Sequence, residues 1–103
     1  MIKVSVIYAN TPGATFDIGY YVNSHMPMVR ERLTPAIKGM QVEHGLGGVE
    51  PGSAPAFLAF GHLLFDTVEA FQTAFAPHAE EILGDIPNYT NVQPVVQLSD
   101  IKI

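Results

Sequence analysis

The chain has 103 residues, with five Lys and Arg against ten Asp and Glu, no cysteine and a formal net charge of −5. That length suits one domain, the acidic balance excludes the clustered basic surface that nucleic acid and anionic membranes need, and the missing thiols exclude disulfides, thiolate metal sites and thiol nucleophiles. Apolar residues make up 48% and charged residues only 15%, which excludes disorder and points to a second apolar face, covered by a partner subunit or lining a cavity.

No apolar run approaches the roughly 18 residues of a membrane span. Met1-Ile2-Lys3-Val4 reads directly into a strand with no leader segment, so one cytoplasmic domain over 1–103 is the expectation.

Residues 2–9 are β-branched and partly alternating, which predicts a first strand. A turn-rich loop follows at 10–15. A helix is expected from Phe16 or Asp17 to Leu33, capped by Asp17 or Thr15 and kinked or interrupted near Pro27. Thr34-Pro35 ends it.

Residues 38–46 alternate Met40, Val42, His44 and Leu46 against Gln41 and Glu43, a second strand with one wetter face. A Gly- and Pro-rich loop leads to residues 56–65, a third strand apolar on both faces. Asp66-Thr67-Val68-Glu69 reads as a helix cap with an acidic residue at the third helical position. The second helix carries Val68, Phe71, Ala74 and Phe75 on one side, and Pro77 opens a further short helix that Gly84 ends. After a loop at 85–91, a last strand is expected from Val92 to Ile103, with Pro94 at an edge or bulge.

The order βαββαβ predicts an α+β, ferredoxin-like fold: a four-stranded antiparallel sheet with both helices on one face. Apolar residues on both sheet faces, Val4, Val6, Phe60, Leu64 and Val96 among them, predict closure of two sheets in a homodimeric barrel.

Tyr21 and His25 are four apart and share a helix face, with a proline two residues further on. An imidazole beside a phenol can act as acid or base near neutral pH. The pair can equally be packed between helix and sheet, with His25 bonded to a backbone carbonyl freed by Pro27. His62 shares a strand face with Leu58, Phe60 and Leu64, a satisfied core or interface histidine unless that face borders the cavity of His25. Asp85, Asn88 and Tyr89 read either as a pocket rim or as an ordinary polar turn. The four histidines form no metal signature, and no nucleotide-binding or serine-hydrolase motif is present.

Phe16-Asp17-x-x-Tyr20-Tyr21-x-x-x-His25-x-Pro27-x-Val29 resembles the signature of the EthD family, small proteins named for an ether-degradation gene cluster that have a dimeric α+β barrel fold. The strand at 57–65 with Asp66-Thr67-Val68-Glu69-Ala70-Phe71, and the closing segments at 85–91 and 95–99, resemble the rest of that family's pattern. The resemblance implies a pocket marked by His25 and Tyr21, and relatives of the fold include cofactor-free monooxygenases, decarboxylases, dehydratases and haem-degrading enzymes. It implies no single reaction. The expectation is therefore a homodimer that binds a small hydrophobic, aromatic or carbonyl compound. His25 and Tyr21 would be the catalytic pair, with His62, Phe60 and Tyr89 against the ligand. No cofactor is required, although a haem or flavin held through His25 or His62 stays open. The alternative is a non-catalytic ligand-binding or accessory protein of the same shape.

Overall fold

Strand β1 (Ile2–Ala9) is flanked on both sides. It pairs antiparallel with β3 (Phe57–Phe65) and with β4 (Val95–Asp100), and β2 (Gly39–His44) extends the sheet beyond β3, giving the order β2–β3–β1–β4. The computed structural model describes every residue from Met1 to Ile103.

Strand alternation sorts the two sheet faces. Ile2, Val4, Val6 and Tyr8 lie on one face, opposite Phe65, Leu63, Gly61 and Ala59 of β3. Two helical bodies cover this face and bury the core, in which Met26, Val29, Leu33 and Ile82 meet the strand residues. Lys3, Ser5 and Ile7 lie on the other face, opposite Leu64, His62 and Phe60. No helix covers it, so the fold is the α+β, ferredoxin-like arrangement with one open sheet face.

The first helical body is a run of α1 (Ile18–Tyr20), a π-helical turn (Tyr21–His25) and α2 (Met26–Leu33). Asp17 caps it, its Oδ1 accepting the Tyr20 N–H at 3.1 Å, an interaction worth about 1 kcal/mol. The interruption expected near Pro27 is this π turn, and the helical body continues through the proline. Its ring would clash with the carbonyl four residues back in a regular helix. The chain widens by one residue just before it, so the Met26 N–H bonds the Tyr21 carbonyl five residues back. Such single π turns are frequent at functional sites.

The second body joins α3 (Val68–Phe75), a 3-10 turn (Ala76–His78) and α4 (Ala79–Gly84). Its cap is Thr67, whose hydroxyl accepts the Ala70 N–H at 3.0 Å. The start lies one residue later than an Asp66 cap would set it, which takes Glu69 out of the third helical position.

The last strand is shorter than expected and begins at Val95. Val92, Gln93 and Pro94, expected within it, lie outside the ladder, and the loop expected before them is tied elsewhere. Thr90 Oγ1 donates to the Thr15 carbonyl at 2.6 Å, and Asn91 Oδ1 accepts the Thr15 N–H at 2.9 Å. The Asp17 N–H reaches the Tyr89 carbonyl at 2.7 Å. The closing loop is thus stitched to the start of the first helix, and Pro94, which has no N–H to donate, marks the change to sheet pairing.

Candidate active site

Between the helices and the covered sheet face lies a cavity of about 330 Å³. Its lining changes along its length. On β1 the sequence is Val4, Val6, then Tyr8; on the first helical body it runs back from Leu33 through Val29 and Met26 to His25 and Tyr21. The polar groups therefore collect at one end, where Tyr89 joins them, and the other end is aliphatic and phenylalanine-lined. Leu83 and Val96 line the cavity and are about half exposed, 52% and 50%, so it reaches the surface between α4 and β4.

The π turn places Tyr21 and His25 with their rings stacked, centroids 5.5 Å apart and planes 13° from parallel. His25 is only 4% exposed. Its partner is not a backbone carbonyl: Nδ1 lies 2.8 Å from Asp85 Oδ2. Ionised carboxylates only accept hydrogen bonds, so Nδ1 carries the proton and donates it. Nε2 is then left with its lone pair, 3.4 Å from the Tyr89 hydroxyl. Tyr89 donates to it and in turn accepts from Tyr8, whose hydroxyl is 2.6 Å away.

Asp85 sits just past the end of α4, followed by a 3-10 turn (Ile86–Asn88) that brings Asn88 back onto it. Asn88 Nδ2 and the Tyr20 hydroxyl both donate to Asp85 Oδ1, at 2.9 and 2.7 Å. Partial burial opposes the Asp85 charge, but the hydrogen bonds from Asn88, Tyr20 and His25 outweigh it and hold the carboxyl below its usual range. His25 is shifted the other way from a salt-bridged histidine. Burial disfavours its cation more than Asp85 supports it, so its pKa is lowered and the ring is neutral near pH 7. Burial likewise pushes the phenols of Tyr8, Tyr21 and Tyr89 up, so they stay protonated donors.

All four tyrosines of the chain belong to this cluster. Tyr8, Phe16, Tyr21 and Tyr89 meet one another with ring centroids 5.0 to 5.9 Å apart. Gly61 of β3 makes room for it: a Cβ there would run into the Tyr21 hydroxyl.

The cavity brings together His25, Tyr21 and Tyr89, three of the five site residues expected from sequence. The other two are elsewhere. Strand alternation puts Phe60 and His62 on the open sheet face, stacked on each other with centroids 5.8 Å apart, so neither faces the cavity. His62 instead bonds Ser5 Oγ at 3.0 Å and Glu43 at 3.3 Å. Sequence reasoning missed Tyr8, whose parity with Val4 and Val6 already put it on the covered face, and it left Asp85 in an ambiguous turn. Pairing Asp85 and Tyr20 with His25 required the fold, because no local pattern links them.

No group of three His, Asp or Glu side chains could hold a metal ion. His62 lies on the open sheet face with both ring nitrogens bonded, so it does not fit the role of an open haem ligand in the cavity. No helix is long and apolar enough to cross a membrane.

A dyad of this kind in an apolar cavity under two helical bodies and an antiparallel sheet defines an α+β protein of the ferredoxin-like class with a small-molecule-sized site. No family model and no curated protein matches the chain. Among solved structures, an EthD-like protein from Ralstonia eutropha is similar at 47% identity and a TM-score of 0.94, over 99% of this chain and 92% of that one. An EthD family protein from Bacillus halodurans is 19% identical, with a TM-score of 0.75 and 99% of both chains covered. An antibiotic biosynthesis monooxygenase shares the fold at 16% identity and a TM-score of 0.51, over the whole of both chains. The chain belongs to the EthD-like family.

Proposed function

We propose that the protein binds a small hydrophobic aromatic or carbonyl compound in the cavity and that His25 serves there as acid–base group. The observation that carries this reading is the neutral His25 ring, held by Asp85 with its bare Nε2 turned to the Tyr89 side of the cavity. Imidazole Nε2 can take a proton from carbon next to a carbonyl or from a phenol. Tyr21, and Tyr89 once its O–H turns from the 3.4 Å contact with Nε2, would donate hydrogen bonds to the oxygen that gains the negative charge, with Tyr8 donating to Tyr89 behind it. The resulting enolate or phenolate is one that a lyase carries to β-elimination of a leaving group, or that a cofactor-free oxygenase oxidises with dioxygen. Proton transfer is thus the step common to the reaction types this site supports.

The test is exchange. Incubation with 2-tetralone in D2O, followed by NMR, should show α-deuteration above the buffer rate, lost by about 10²-fold or more in His25→Ala while 2-tetralone still binds. Equal exchange by wild type and variant would remove His25 from the chemistry.

One observation favours a second reading. The Nε2 lone pair already has the Tyr89 hydroxyl as partner. On this reading His25 only holds that phenol toward a ligand that is bound and released unchanged. In that case binding is normal and no deuterium enters.

Both readings include a homodimer. The open sheet face carries Ile7, Leu58, Phe60 and Leu64 around the Ser5–His62–Glu43 set, and no part of the chain covers it. Two such faces together would form a barrel. Sedimentation should give about twice 11.2 kDa, and a mass of one chain would remove the dimer.

A further inference from the structure

We infer that the cavity takes uncharged molecules with one hydrogen-bonding oxygen at the head and an apolar body, and rejects the carboxylates of the same skeleton. The inference rests on the cavity-binding reading above and names the ligand class for it.

The chain has five basic side chains, Lys3, Arg30, Arg32, Lys38 and Lys102, and none of them lines the cavity. His25 supplies no positive charge either, because burial keeps its ring neutral, and the nearest full charge to its head end is the Asp85 carboxylate behind it. An anion brought into this space would lose its hydration, meet no cation and face a fixed negative charge. Burying an unpaired carboxylate in apolar surroundings is among the most costly transfers in protein chemistry.

A neutral oxygen meets the opposite situation. The hydroxyls of Tyr8 and Tyr89 and the Nε2 of His25 are gathered at one end of the cavity. The Tyr89 O–H, turning from its 3.4 Å contact with Nε2, can donate to a carbonyl, and Nε2 can accept from a hydroxyl, while Tyr8 keeps its bond to Tyr89. Beyond them the walls are Val6, Val29, Leu33, Leu63, Phe71 and Phe75, with no polar side chain to match a second oxygen. The head group is therefore fixed at the tyrosine end and the body is pressed among aliphatic and aromatic walls. A volume of about 330 Å³ lies at the small end of ligand pockets and suits a two-ring compound.

Calorimetric titration of the full chain at pH 7.5 with 2-naphthol, 2-naphthoate and methyl 2-naphthoate tests this. The phenol and the ester should bind within about 10-fold of each other, and the carboxylate about 100-fold more weakly. Tyr89→Phe should weaken 2-naphthol by about 3- to 10-fold. Equal affinity for acid and phenol overturns the charge rule and leaves the cavity reading intact. Failure of ester and acid alike, with the phenol bound, overturns it in favour of exclusion by size. Unchanged 2-naphthol affinity in Tyr89→Phe overturns the head-group assignment. No binding of any of the three overturns both this inference and the cavity reading beneath it.

Discussion

His25 Nδ1 and Asp85 Oδ2 are 2.8 Å apart although the residues are 60 positions apart in sequence, one on the first helical body and the other just past the end of the second. The contact fixes which ring nitrogen carries the proton, and it is the main force opposing the effect of burial on the ring. Asp85→Asn should therefore lower the His25 pKa further and release the tautomer, since an amide can donate as well as accept. Nitrogen NMR should find Nδ1 protonated and Nε2 bare in wild type at pH 7, and a tautomer mixture in the variant. We expect about 1–2 kcal/mol of lost stability. One tautomer and an unmoved titration in the variant would show that Asp85 does not set the ring.

Stability should fall on acidification in two stages. The folded state holds the His25 pKa below its ordinary 6.5, so the unfolded chain binds the proton more readily and stability declines as pH drops below about 6.5. Asp85 is also held below its ordinary 3.8. Its contribution is present above that value and is lost as pH falls through the carboxylate range. Urea midpoints between pH 8 and pH 3 read both stages. His25→Gln should flatten the first, and a midpoint that rises from pH 7 to pH 5 would contradict the sign.

Gly61 and Tyr21 are coupled by space. Gly61→Ala puts a methyl against the Tyr21 hydroxyl, and overpacking of this kind costs about 1–3 kcal/mol. The cost should shrink when Tyr21→Phe is added, so the double variant is less destabilised than the two singles together predict. Strict additivity in denaturant unfolding would mean that the hydroxyl does not occupy the space above Gly61.

The Tyr8–Tyr89 hydrogen bond is buried and short, at 2.6 Å. Tyr8→Phe leaves Tyr89 with His25 as its remaining partner, whereas Tyr89→Phe strips a partner from both Tyr8 and His25. Tyr89→Phe should thus be the more damaging, by about 1 kcal/mol. A greater loss in Tyr8→Phe would reverse the order of donors and acceptors from Tyr8 through Tyr89 to His25.

The strand and helix order was legible because each element carries its own period: Ile2, Val4, Val6 and Tyr8 alternate, and Val68, Phe71, Ala74 and Phe75 keep helical spacing. His25 and Tyr21 could be picked out because a proline inside a helix is a local anomaly. What proved illegible depends on distance in sequence. Thr90 and Asn91 read as loop, but that this loop is tied to Thr15 is decided by a segment some 75 residues earlier. Phe60 and His62 look as apolar and as promising as their neighbours, yet parity sends them to the far face. The Asp85 contact requires both helical bodies to be folded over the sheet first.

The gathering of every tyrosine around one end of the cavity, in a chain without tryptophan, also makes the site optically self-reporting. Near-ultraviolet absorption, circular dichroism and emission near 300 nm arise from phenols that all touch the His25 cluster, and the phenylalanines add little to these signals. A molecule arriving among them would alter the whole spectrum rather than a fraction of it, with no label and no engineered fluorophore.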